Sequence, residues 1–138
     1  MSLNEGTFNV DQNLLGLAQN ISPKFDLLRV SVHWVGTTTL MDLIGEVDMS
    51  TVPLLHDQLE ELVPSLKAGL VIDLSLVTFL DSSGLAFLVA AHNRAKAKGS
   101  RLVVYAPTRK SRRLFEISGL TPLLEIFPAG PDEVVFTH

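Results

Sequence analysis

The chain has 138 residues, of which 46% are apolar and 19% charged, with 11 Lys and Arg against 15 Asp and Glu and no cysteine. That length and apolar content can bury one real core without metals or disulfides, and they exclude a disordered tail or a coiled coil. A formal charge of -4 gives no electrostatic reason to expect nucleic acid as the main partner, and the missing cysteines rule out disulfides, thiol redox switching and thiolate metal sites.

Met1-Ser-Leu-Asn-Glu-Gly6 lacks the basic stretch and apolar core of a secretion signal. The apolar runs fall short of the roughly 20 residues that a membrane-spanning helix needs. The expectation is a cytoplasmic protein with no membrane partner. Residues 1–24 are mixed and polar and close on Ser22-Pro23, so they read as a loosely ordered lead-in to a domain over 25–138, although Leu14, Leu15 and Leu17 offer apolar contacts to it.

From Phe25 the pattern changes. Leu28, Val30, Val32 and Trp34 alternate with Arg29, Ser31 and His33, the period of a half-buried strand. Gly36-Thr37 interrupts, and a second strand over Thr38–Ile44 completes an antiparallel hairpin. Gly45-Glu-Val-Asp48 reads as a loop, with Ser50 or Thr51 as a helix N-cap and Pro53 in the first turn. Leu54, Leu55, Leu59, Leu62 and Val63 then recur at helical spacing up to Pro64. Leu70–Leu74 is a short apolar run of the kind found in a central strand covered on its faces. A second helix opens at Ser82-Ser83-Gly84 and stops at Gly99; Leu102–Tyr105 is a strand. Pro107-Thr108 starts a third helix that carries Leu114, Phe115 and Ile117 to Ser118-Gly119, and Leu123–Phe127 is a last strand. The order β-β-α-β-α-β-α-β implies parallel neighbours with right-handed crossovers after an antiparallel first pair. There is no internal repeat and no low-complexity segment.

The most informative stretch is Val71-Ile-Asp-Leu-Ser-Leu-Val-Thr-Phe-Leu-Asp-Ser-Ser-Gly-Leu85. Strand-forming residues stop at Asp81, and a serine hydroxyl then sits at a strand-to-helix corner, facing backbone N–H groups and the positive end of a helix dipole. Such a corner accommodates a nucleophile, a bound anion or a covalently attached phosphate. A plain N-cap serine is worth about 1 kcal/mol and explains one hydroxyl. It does not explain an acidic Asp81 just before it, nor a position at the C-terminal end of a parallel strand, where open α/β sheets place their sites. The nucleophile version lacks its parts. Leu80 stands where Gly-x-Ser-x-Gly needs glycine, His92 lies too far along the same helix, and His33, His56 and His138 lie elsewhere. No Gly-rich loop followed by Lys is present for a nucleotide. Glu46 and Asp48 lead from the same sheet end and would form, with Asp81, an acidic rim around Ser82. Arg109, Lys110, Arg112 and Arg113 form the one basic cluster and read as a solvated helix face.

Four stretches in order, Leu43-Ile-Gly-Glu-Val-Asp48, Val71-Ile-Asp-Leu-Ser75, Phe79-Leu-Asp-Ser-Ser-Gly-Leu85 and Arg113-Leu-Phe-Glu-Ile-Ser-Gly-Leu120, make the chain resemble the STAS domains over residues 25–127. Within them it is similar to the stand-alone bacterial anti-sigma factor antagonists. The resemblance implies an α/β domain with a mixed, mostly parallel sheet and helices largely on one face. It implies partner switching: a non-enzymatic protein binds an anti-sigma factor that is itself a serine kinase and so frees a sigma factor. Phosphorylation of Ser82 switches binding off, and a serine phosphatase restores it. On that basis Glu46, Asp48, Asp81, Ser83 and Gly84 are expected to contact the partner, with Asp81 orienting Ser82 or meeting the kinase and Gly84 keeping the corner open. No catalytic residue, cofactor or metal is expected. The alternative is a STAS module acting as a stress-signalling scaffold, a ligand-binding domain or a subunit associated with an anion or lipid transporter.

Overall fold

The computed structural model describes residues 7–9, 27–106, 109–119 and 124–127. Six strands form one sheet in the order β1-β2-β3-β4-β5-β6: β1 Thr7–Asn9, β2 Leu28–Val35, β3 Thr38–Val47, β4 Gly69–Leu80, β5 Arg101–Tyr105 and β6 Glu125–Phe127. The pairs β1–β2 and β2–β3 are antiparallel, whereas β3–β4, β4–β5 and β5–β6 are parallel. Helices α1 Val52–Leu62, α2 Ser82–Ala97 and α3 Arg109–Ser118 make the three parallel crossovers. All three crossovers step the same way along the sheet, so right-handed connections put all three helices on one face. This is the α/β arrangement expected from the sequence.

That face holds the core. Val30, Val32, Met41, Leu43, Leu70, Ile72, Leu74, Leu102 and Val104 point from the sheet into Leu55, Leu59, Phe87, Leu88, Ala91 and Phe115, all buried. Burying side chains of this size stabilises by about 1.5–3 kcal/mol each. The β2–β3 hairpin closes through Gly36 and Thr37, with Val35 opposite Thr38. Gly36 takes φ +60° and Thr37 does not, the sense of a II′ turn, which requires glycine at its first central position.

Three boundaries differ from the sequence reading, and one cause serves for two of them. β3 runs on through Gly45, Glu46 and Val47, which read as a loop, and β4 extends to Leu80 rather than stopping at Leu74. The two strands pair along this whole length, but with register shifts between Asp42 and Ile44 and again between Gly45 and Glu46. Each shift leaves an extra β4 residue, which reverses the inward and outward alternation and erases the period-two signal. Gly45 has φ +113°, and a Cβ there would lie 2.0 Å from the Leu27 carbonyl oxygen, so only glycine lets β3 bend here. The third difference is at the N-terminus. Thr7–Asn9 of the lead-in pairs with Ser31–His33 at the edge of β2. The rest of residues 1–24, the Pro107-Thr108 helix start, Leu123 and the end of the chain lie outside the described residues.

Candidate functional site

The pairing of β3 with β4 brings two chain reversals to the same end of the sheet. Val47 is opposite Leu80, and the Asp81 backbone N–H donates to the Val47 carbonyl at 3.2 Å. The β3–α1 loop and the β4–α2 corner therefore start side by side.

At the β4–α2 corner the cap is Asp81 rather than a serine. Asp81 has extended backbone, φ -106° and ψ -171°. Its Oδ1 accepts from the Ser83 N–H at 2.9 Å, the Gly84 N–H at 3.1 Å and the Ser83 hydroxyl at 2.5 Å. Two of the four N–H groups that a helix start leaves open are thus satisfied by one charged oxygen. The Ser83 hydroxyl is the largest influence holding the Asp81 carboxyl below its ordinary value, helped by the N–H groups of Gly84, Ser83 and Met49. Asp81 therefore orients Ser83, which corrects the expectation that it orients Ser82. The Ser82 side chain is exposed, and among the described residues its hydroxyl has no partner.

Gly84 is buried beneath the corner. A Cβ on it would approach Leu80 Cδ1 to 2.4 Å, Val47 Cγ1 to 2.8 Å and the Val47 carbonyl oxygen to 3.2 Å. Its part is to let α2 seat tightly on β3 and β4; it presents nothing outward, contrary to the reading of an opening for a partner.

Across from it, Asp48 folds back on the start of α1. Its Oδ1 accepts from the Ser50 N–H at 2.9 Å, the Ser50 hydroxyl at 2.7 Å and the Thr51 N–H at 3.1 Å. The Thr51 hydroxyl, fully buried, accepts from the Asp48 N–H at 3.0 Å and donates to the Glu46 carbonyl at 2.9 Å. Thr51 thus ties the loop to the strand without capping α1 by its side chain. The Ser50 hydroxyl is the main cause of the lowered Asp48 pKa, and the Asp81 charge works against it. Asp48 and Asp81 are near enough to sense each other, yet the hydrogen bonds each accepts hold both carboxyls below their ordinary values, so both are anionic at neutral pH and make an acidic edge beside Ser82.

Glu46 stands apart from this pair. As a strand residue opposite Phe79 and next to the inward-facing Val47, it lies on the sheet face away from the helices. What it gives the corner is its backbone carbonyl. Sequence reasoning missed Met49, which is 79% exposed in the β3–α1 loop and leaves an apolar side chain at the surface in the same loop as Asp48. The signal available was the Asp48-Met-Ser-Thr51 spacing, which fixes the turn and leaves its second residue outward.

Among the described residues no histidine serves the hydroxyl. His33 Nε2 pairs with Asp42 Oδ2 at 2.9 Å on the opposite sheet face, and His56 stacks edge-on to Phe87 at 5.1 Å. His92 is ten residues along α2 from Ser82, about 15 Å along the axis. Among the described residues no group of three or more His, Asp or Glu side chains is arranged to hold a metal ion, and no helix is long and apolar enough to cross a membrane.

The chain as a whole is similar to known proteins. The family model described as "Mlab, STAS domain" matches residues 30–125. The anti-sigma-B factor antagonist of Listeria monocytogenes is 39% identical over 84 residues, 59% of this chain and 72% of that protein. A crystal structure of an anti-sigma factor antagonist from Mycobacterium paratuberculosis superposes with a TM-score of 0.66 at 30% identity, covering 80% of this chain and 92% of that one. The anti-sigma factor antagonist SpoIIAA shares the fold with a TM-score of 0.63 at 22% identity, covering 75% and 90%.

Proposed function

The chain belongs to the STAS domain family, and from that premise we propose that it is an anti-sigma factor antagonist switched by phosphorylation of Ser82. Relatives of that name support the antagonist role. The observation that carries the switch is the exposed, unpartnered Ser82 hydroxyl at a rigid helix start whose other polar groups are already engaged.

The geometry favours a kinase substrate over a nucleophile. A nucleophilic serine needs a base within hydrogen-bond reach, and the nearest histidine along its helix is about 15 Å away. A serine that accepts a phosphoryl group needs only accessibility and a fixed backbone, because the kinase supplies the base and the ATP. The protein is on this reading a regulatory binding partner rather than an enzyme, working in the cytoplasm on a kinase-type anti-sigma factor.

The cap then dictates how the phosphate acts. The Ser83 and Gly84 N–H groups that would otherwise receive a phosphate at this helix start are held by Asp81. A phosphate on Ser82 gains from the helix dipole but projects outward, within reach of a phosphatase. It adds about -1.5 to -2 charge beside Asp48 and Asp81, bringing the patch to about -3.5 to -4. The fold is left intact, and a partner that docks Met49 and the two acids meets a doubled negative charge and a hydrated bulge. Binding is lost at the interface.

The test is complex formation. Unmodified protein mixed with its anti-sigma factor is expected to co-elute in size-exclusion chromatography and to displace the bound sigma factor, while Met49→Lys co-elutes poorly with an unchanged melting temperature. If no anti-sigma factor from the same genome is retained by the unmodified protein, the antagonist reading fails.

A further inference from the structure

All the sulfur in the chain sits in three thioethers, Met1, Met41 and Met49, because there is no cysteine. Met41 and Met49 lie within the described residues and have opposite surroundings. Met41 faces the core from β3 and is 0% exposed, whereas Met49 is 79% exposed, more than any other large apolar side chain among the described residues. Oxidation of a thioether follows its access to solvent, so Met49 is open to reagents that do not reach Met41. Thiol switching is closed to this chain, and the thioether is the reversible redox chemistry that remains to its side chains.

The turn that carries Met49 fixes where it stands. Asp48 accepts from the Ser50 and Thr51 N–H groups, and the buried Thr51 hydroxyl ties the turn back to the Glu46 carbonyl on β3. The Met49 N–H is close enough to the Asp81 carboxylate to help keep it ionised. Its backbone therefore joins the β3–α1 turn to the β4–α2 corner, where Ser82 is also exposed. The bonds that hold Asp48 and Asp81 run to backbone N–H groups and to the Ser50 and Ser83 hydroxyls, none of them to the Met49 side chain. A chemical change at the Met49 sulfur leaves both caps, and with them the fold, in place.

We propose that Met49 is a redox modification site, at which a peroxide converts the thioether to the sulfoxide and so weakens partner docking independently of Ser82. This inference rests on the antagonist reading above. Hydrogen peroxide or an organic hydroperoxide is the only co-reactant. The sulfur lone pair attacks one peroxide oxygen, and an S–O bond forms as the O–O bond breaks. The proton of the transferred oxygen goes to the leaving oxygen, which departs as water or an alcohol. Sulfur is oxidised by two electrons and the peroxide is reduced by two. Asp48 and Asp81 are anionic, so the edge favours these neutral oxidants over anionic ones. The sulfoxide oxygen holds water that a docking partner must strip away, and an apolar contact becomes a desolvation cost. Methionine sulfoxide reductases, one for each sulfur epimer, return the thioether.

The experiment treats the protein with hydrogen peroxide, quenches it, and divides it between peptide mapping and binding to anti-sigma factors from the same genome. Met49→Leu and Met49→Gln run alongside. Met49 is expected to oxidise roughly tenfold faster than Met41 or more, with the melting temperature unchanged. Oxidised wild type should bind roughly tenfold more weakly, and sulfoxide reductases should restore it. Met49→Gln, polar at the same position, should bind as weakly without peroxide, and Met49→Leu should keep its binding through the treatment. Equal oxidation of Met41 and Met49, or an oxidised wild type that binds as tightly as before, overturns the proposal and leaves the antagonist reading standing. Untreated protein that no anti-sigma factor retains overturns the antagonist reading and this inference with it.

Discussion

Alanine at position 84 adds one methyl group where the fold has left no room. The new Cβ would lie 2.4 Å from Leu80 Cδ1 and 2.8 Å from Val47 Cγ1, both well inside contact distance. Those side chains are only 6% and 1% exposed, so neither can swing into solvent to relieve the overlap. The third contact, 3.2 Å to the Val47 carbonyl oxygen, is with backbone that also receives the Asp81 N–H. Relief therefore requires α2 to lift off the sheet at its start. Overpacking of this kind costs about 1–3 kcal/mol. Against it stands the gain of about 0.5–1 kcal/mol from replacing glycine inside a helix. Two contacts below 3.0 Å place the cost toward the upper end, about 2–3 kcal/mol, so the net loss is about 1–2.5 kcal/mol, or roughly 3–10 °C in melting temperature for a domain of this size. Thermal melts by far-UV circular dichroism and a urea titration measure it. Because the shift is at the corner, phosphorylation of Ser82 by a cognate kinase should slow as well, whereas Ala86→Ser, exposed one turn on, should leave both readouts unchanged. A Gly84→Ala protein as stable as the wild type would show slack under the corner and refute the packing account.

Removing the cap should act more simply. Asp81→Ala strands two backbone N–H groups and is expected to lose about 1–2 kcal/mol in urea unfolding, with Asp81→Asn recovering most of it through its remaining oxygen. The Asp81 carboxyl is held below its ordinary value, so its stabilisation is full above about pH 4 and is lost as pH falls through the lowered folded value. Asp42, raised chiefly by burial, works in the opposite sense, favouring the folded state most at low pH and less as pH rises. Urea midpoints between about pH 3 and pH 6 should accordingly show a shallower acid loss for Asp81→Asn and a steeper one for Asp42→Asn than for wild type. Gly45→Ala combines a φ of +113° with a Cβ 2.0 Å from backbone oxygen, and should be the most damaging of these changes, above about 3 kcal/mol; a loss below about 1 kcal/mol would contradict the bend in β3. Ser82→Ala should shift stability by less than about 0.5 kcal/mol, because its hydroxyl has no partner among the described residues.

The helices and the hairpin were legible because their signals are local. Leu55, Leu59 and Leu62 recur at helical spacing, and Gly36 interrupts two alternating runs. The length of β3 and β4 was not, because the two register shifts exist only when the strands lie side by side, and a sequence read alone shows them as broken alternation. Asp81-Ser-Ser-Gly84 was visible as a corner, yet its internal wiring was misassigned. A short carboxylate reaches N–H groups two and three residues on more readily than the hydroxyl beside it, so Ser83 and Gly84 take the bonds and Ser82 is left free. Glu46 and Asp48 are two residues apart in the chain and serve different surfaces, because one completes a strand and the other turns back on a helix start.

The most direct test of the proposed switch is the intact mass of the protein after incubation with candidate anti-sigma kinases from the same genome and ATP, with Ser82→Ala, Ser83→Ala and wild type side by side. The account predicts one added phosphate on wild type and on Ser83→Ala, none on Ser82→Ala, and loss of anti-sigma factor binding in proportion to the phosphorylated fraction. A phosphate on Ser82→Ala, or a fully phosphorylated protein that still binds, would contradict it.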